Sequence, residues 1–156
     1  MKNHSIPKEL KQMVAGYDPK TQELCFYLRD FMLECFPEAH ELIYDAYNAV
    51  SVVFSLSDKL SDAYCHIAVY SSHVNLGFNR GVEIPEPEIE LAGTGKLIRH
   101  FKVRSKNELP REKAAKTVAK AIDIAFMNNP KLDVNELSHK VSIMPTSGKK
   151  VRPIYP

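Results

Sequence analysis

Four cationic or potentially cationic side chains, Lys96, Arg99, His100 and Lys102, crowd one short segment of this 156-residue chain, Leu91-Ala-Gly-Thr-Gly-Lys-Leu-Ile-Arg-His-Phe-Lys-Val103. Strands favour β-branched and aromatic residues, and charge on a strand faces water or a ligand. The Gly93-Thr-Gly95 turn ahead of it can also present backbone N–H groups to an anion. Three histidines, His66, His73 and His100, fall in strand-like runs with Asn75, Ser51 and Ser55 nearby. They offer hydrogen bonding or acid–base chemistry if they share a face. Their spacings, with no HxH or HxxxH pattern, do not favour zinc. A third set is acidic. Glu23, Asp30 and Glu34 follow one stripe of a helical segment, where carboxylates can bind a hard cation through oxygen or simply face solvent.

Other chemistries are disfavoured. Gly93-Thr-Gly-Lys96 resembles the end of a phosphate-binding loop, but Glu90 stands where that motif needs glycine. Leu97 stands where it needs Ser or Thr, and a strand follows instead of a helix. There is no GxSxG, and Cys25, Cys35 and Cys65 form no CxxC pair. These residues point to binding more than to catalysis. Formal net charge is only +2, with no tryptophan and no aromatics interleaved among the basic residues, so nucleic acid is a poor fit. The charge is nonetheless divided. Residues 1–95 hold 7 Lys/Arg against 14 Asp/Glu, and residues 96–156 hold 14 against 5. An anionic partner for the basic part would explain this, as would a surface that interleaves the two sets. No run approaches a membrane span of about 20 apolar residues, and the N-terminus has no apolar signal region. Cysteines without disulfide spacing fit a reducing, cytoplasmic location.

The elements that must position these groups are legible. Asp18-Pro19 is a helix start, with Asp18 as cap and Pro19 in the first turn. Leu24, Tyr27, Leu28, Phe31 and Cys35 recur at helical spacing until Pro37. A shorter helix is expected over residues 7–14 and a second long one from about Pro110 to Met127. Between the long helices come four or five strands: 42–46, 50–56, 64–70, 73–78 and 96–103. Pro85 and Pro87 make 83–90 a loop. The order predicts an α+β sandwich with both main helices on one face of an antiparallel sheet.

Alternation then assigns faces. A Ser71-Ser72 turn pairs Tyr70 with His73, so Cys65, Ile67, Val69, Val74, Leu76 and Phe78 share the core face. Tyr64, His66, Tyr70, His73 and Asn75 are expected on the other. Leu97, Phe101 and Val103 are expected inward with Arg99 among them, and Lys96, Ile98, His100 and Lys102 outward. An inward guanidinium needs a partner, and Glu86 or Glu88 of the acidic loop is the expected one. His66, His73, Asn75, Lys96, Arg99 and His100 are therefore the candidate ligand-binding residues.

His73-Val-Asn-Leu-Gly-Phe-Asn-Arg-Gly81, the Pro-containing loop and Leu91–Val103 together resemble the YdhG-like family, a domain of unknown function. The resemblance covers about residues 19–127. One departure is Glu86-Pro87 followed by Glu88-Ile89-Glu90, where the family has Asp-Pro. The resemblance implies a frataxin-like sandwich. Some relatives are described as iron chaperones, which makes iron the implied cofactor or cargo and Glu23, Asp30 and Glu34 its candidate ligands. Two readings of function follow. One is a non-enzymatic intracellular iron chaperone. The other is a module that binds an anionic ligand or protein partner through residues 96–102. A third class, a small enzyme centred on His66, His73 and His100, requires those side chains to converge in a pocket. Residues 1–143 read as one YdhG-like domain, and 144–156 as a Pro- and Lys-rich tail or surface arm.

Overall fold

Asp18 starts the first long helix by accepting a hydrogen bond from the Lys20 N–H at 2.8 Å, and Pro19 occupies its first turn. A computed structural model describes residues 4–146, 148 and 150–153. It contains a short helix α1 (Lys8–Met13), two long helices α2 (Pro19–Cys35) and α3 (Arg111–Met127), and six strands: β1 (His40–Asp45), β2 (Val50–Ser55), β3 (Ala63–Val69), β4 (Val74–Phe78), β5 (Arg99–Val103) and β6 (Lys140–Ile143). The sheet order is β5-β4-β3-β2-β1-β6. Every pairing is antiparallel except β1 with β6, which is parallel.

The helices lie on one face. Leu24, Cys25, Leu28, Phe31 and Met32 of α2, and Ala114, Val118, Ala121 and Ala125 of α3, share one core with Ile43, Val52, Ile67 and Leu76 of the sheet. Small residues on α3 let it sit close to β3. Each large aliphatic side chain buried here contributes about 1.5–3 kcal/mol over its exposed state. The β3–β4 hairpin has the expected register, with Val69 opposite Val74, Ile67 opposite Leu76 and Cys65 opposite Phe78. Its two-residue turn is closed by the Tyr70 N–H donating to the His73 carbonyl at 2.9 Å.

Three expectations are corrected. Tyr64 does not face outward. The β2–β3 register shifts at Phe54/Ser55, where Cys65 and Ala63 are the successive partners of Phe54 and Ser55. Tyr64 is the extra residue of this bulge and packs edge-on against Phe36 in the core. Residues 96–98 are not strand; β5 begins at Arg99, and Leu97 is 37% exposed. The sheet also has a sixth strand, β6. The expected arm is in part described: Met144 continues the β6 pairing through its N–H to the Ile43 carbonyl. Lys150 and Arg152 reach Asp45 of β1, and the Val151 N–H donates to the Tyr47 carbonyl. Residues 147, 149 and 154–156 of that expected arm lie outside the described residues, as do residues 1–3.

Candidate functional site

The sheet face away from the helices is built in rows that the strand registers dictate. One row runs Val53, His66, Gly77, His100, and the next runs Ser51, Ala68, Asn75, Lys102. Tyr70 and His73 stand at the hairpin end, stacked with ring centroids 5.1 Å apart. Gly77 and Ala68 make a low floor between taller polar side chains. His66 depends on that floor. A Cβ added at Gly77 would lie 2.1 Å from His66 Nε2, so glycine is what lets the imidazole occupy this space.

His66 Nδ1 sits 2.9 Å from Asn79 Oδ1. The amide oxygen is an acceptor, so Nδ1 carries the hydrogen and Nε2 keeps a lone pair. Burial lowers the pKa of this imidazole, and the hydrogen bond it donates to Asn79, which raises the pKa, does not cancel the shift; His100 lowers it further. His66 therefore contributes shape and an acceptor, not a charge. His73 is also lowered, first by desolvation and then by the charges of Lys102, Arg104 and His100. The positive potential of this face thus gathers at its β4–β5 side. Asn75 Oδ1 is buried without a hydrogen-bond partner among the described residues.

Two candidates fall elsewhere. Lys96 is exposed in the turn before β5. Arg99 pairs with Phe78 in register, on the helix side, yet does not meet Glu86 or Glu88. Its Nη1 donates to the carbonyls of Gly95 at 2.6 Å and Ile98 at 2.7 Å, and its Cβ side packs where Gly81 has none. The guanidinium finds backbone acceptors within its own turn, which is why no carboxylate is needed. Lys120 takes the acidic loop instead, donating to the carbonyls of Pro85 and Glu86 at 2.9 Å each. Glu88 lies 4.0 Å from Lys116. Of the six candidate ligand residues, His66, Asn75 and His100 come together, His73 flanks them, and Lys96 and Arg99 do not join. Lys102, adjacent to the candidates, takes their place. Ser55 is also diverted: its hydroxyl donates to the Lys59 carbonyl at 2.9 Å within the β2–β3 connection.

The acidic stripe of α2 is exposed and largely engaged. Glu34 pairs with Arg111 of α3 at 2.6 Å, and Glu23 lies 4.0 Å from Lys106. Arg111 also packs over Phe31 and Tyr27 and donates to the Tyr27 hydroxyl. Asp30 is exposed between them. Glu23 and Asp30 are two turns apart, roughly 10 Å along the axis at 1.5 Å per residue, too far to share an ion. Among the described residues no three His, Cys, Asp or Glu side chains are grouped so as to hold a metal.

Sequence reasoning missed a buried cluster. Arg29 of α2 forms a two-pronged ion pair with Glu41 of β1, Nε to Oε1 at 2.7 Å and Nη2 to Oε2 at 2.8 Å. Both side chains are fully buried. His139 Nε2 sits 2.5 Å from Glu41 Oε2, and the His4 ring packs edge-on against His139. The signal was present: Arg29 interrupts the apolar stripe one turn after Cys25 and one turn before Leu33. Among the described residues no helix is long and apolar enough to cross a membrane. Comparison with protein-family models, with curated proteins and with solved structures returned no match.

Proposed function

We propose that this protein is a small binding module, not an enzyme, whose helix-free sheet face receives an anionic ligand or an acidic segment of a protein partner. One observation carries the reading: His100 and Lys102 of β5 stand opposite Gly77 and Asn75 of β4, beside the low floor that Gly77 makes with Ala68, and His73 closes the hairpin end. Such a surface offers the Lys102 ammonium and the His100 ring as donors at its β5 side and shape on the rest. The attraction is electrostatic and exposed, so it weakens as salt shortens the range of charge interactions.

The test is a titration of the full chain with an acidic peptide and, separately, inorganic phosphate, followed by amide chemical shifts. Shifts centred on Asn75, Gly77, His100 and Lys102, lost on Lys102→Gln and reduced by salt, support the reading. No saturable shift on this face, or shifts unaffected by Lys102→Gln, refute it. A response to peptide alone assigns a protein partner, and one to phosphate alone a small ligand.

The iron reading draws less support, since Glu23 and Glu34 face cations of their own and the stripe is spread along the helix. We hold membership of the YdhG-like family and a frataxin-like sandwich as our reading also, supported by the two motifs and by two long helices on one sheet face. A cytoplasmic location is supported by three free cysteines, two of them buried.

A further inference from the structure

A cleft of about 440 Å³ opens at the β6 edge of the sheet, remote from the face just described, and is lined by His4, Ser5, Pro7, Glu9, His139, Val141 and Ile143. This volume lies within the range of about 300–1,000 Å³ typical of small-molecule sites. Its chemistry is sorted into two kinds. Pro7, Val141 and Ile143 supply apolar wall, and the two β6 side chains are 37% and 42% exposed. The polar lining groups are chiefly acceptors. Glu41, the carboxylate bonded to His139 Nε2, can only accept, so Nε2 carries the hydrogen of that contact and Nδ1 of the unprotonated ring is the acceptor left for a ligand. His4 Nε2 likewise donates to the Pro37 carbonyl at 3.1 Å, which leaves Nδ1 of the unprotonated ring as an acceptor.

Charge points the same way. Glu41 is balanced by Arg29 through two hydrogen bonds, so the buried pair brings no net charge to the cleft. Glu9 remains, and it makes no ion pair or hydrogen bond among the described residues. The site therefore presents one unbalanced carboxylate, imidazole lone pairs, a hydroxyl and an aliphatic wall. Among the described lining residues an anion would meet Glu9 with no lysine or arginine to offset it, and a metal would find no grouped set of three donors. We propose that this cleft binds a primary aliphatic amine as its ammonium ion, with Glu9 as counter-charge, His4, Ser5 and His139 as acceptors, and Pro7, Val141 and Ile143 around the hydrocarbon.

The experiment titrates the full chain with 1-hexylamine at mildly alkaline pH and follows backbone amide shifts. Saturable shifts at Ser5, Glu9, Val141 and Ile143 are expected. Glu9→Gln, a surface change that leaves the remaining spectrum in place, weakens binding about tenfold, the usual worth of a charge-assisted hydrogen bond. Ile143→Ser weakens hexylamine more than ethylamine. A second arm compares hexylamine with an Nα-acetyl-lysine amide, and the tighter binder identifies a free amine or a lysine side chain as the source. The proposal is overturned if hexanol or hexanoate binds as tightly, if Glu9→Gln changes nothing, or if hexylamine produces no saturable shift at these residues.

Discussion

Arg29, in the middle of α2, donates two parallel N–H···O bonds inside the core to the carboxylate of Glu41, the second residue of β1, and neither side chain is exposed to solvent. Their geometry ties the first long helix to the sheet at a fixed height. It also has a cost, because Arg29 Nη1 is buried without a partner among the described residues. Such a pair is worth little over an apolar replacement but is expensive to break.

Single replacements Arg29→Leu and Glu41→Leu are each expected to lower unfolding stability by about 3–5 kcal/mol, because each strands a buried charge. The double variant should recover most of that loss. Urea unfolding of the four proteins measures it. Additive losses would show that the two side chains act independently.

Acid should unfold the protein through its paired carboxylates. Burial by itself raises the Glu41 pKa, but hydrogen bonds from His139 and Arg29, with the Arg29 charge, hold it below the usual range. Desolvation likewise raises the Asp45 pKa, and hydrogen bonds from Lys150 and Arg152 outweigh it and hold the group below its usual value. A depressed folded pKa gives stability that is present above the unfolded value of about 4 and lost as pH falls through the folded one. The urea midpoint should therefore be steady near neutrality and drop steeply below about pH 4. Glu41→Gln should flatten that drop.

His66 should titrate below the ordinary histidine value of about 6.5, since burial disfavours its charged form. The sign is that the unfolded chain takes up the proton first, so this group reduces stability as pH falls below about 6.5. Imidazole proton shifts against pH give the pKa directly. A value above 6.5 would contradict the buried, neutral ring.

Gly77→Ala should be disruptive out of proportion to one methyl group. Its Cβ would sit 2.1 Å from His66 Nε2, so the ring must leave and lose Asn79. A cost of about 1–3 kcal/mol is expected for such overpacking. His66→Ala in the same chain should relieve it. Thermal unfolding of the two single variants and the double variant decides the matter, with no relief meaning that backbone freedom, not the ring, requires glycine.

Asp45→Asn should loosen the C-terminal arm without opening the core. Asp45 receives Lys150 at 2.8 Å and also pairs with Arg152, which in addition donates to the Ala46 carbonyl at 2.5 Å. Limited proteolysis should cut the variant faster within residues 144–153 while α2 and β3 stay protected. Equal cutting rates would place the arm's hold in its backbone contacts.

Local pattern made most of this architecture readable. Asp18-Pro19 marked α2, and alternation with Ser71-Ser72 gave the hairpin register, because caps, period and two-residue turns act over a few residues. What escaped depends on residues far apart. Strand β6 is four residues whose partner lies a hundred positions earlier, and nothing local signals a parallel pairing. Tyr64 was misplaced because one bulge residue inverts the alternation behind it. Alternation turns Arg99 inward and so calls for a carboxylate from the acidic loop, but the carbonyls of its own turn are nearer. The candidate face was half legible: strand parity found His66, Asn75 and His100, but not the turn that removes Lys96.

The late arrival of β6 bears on how the chain is made. Until residues 140–143 emerge, β1 is the bare margin of a growing sheet and a template for pairing with other chains. Glu41 lies on that margin with its carboxylate directed toward the helix side, and Arg29 is already synthesised to meet it. An inward charge on an unfinished edge discourages a foreign strand from docking flush against it. The same carboxylate then receives His139 as the last strand settles, so one residue guards the seam during synthesis and fastens it afterwards.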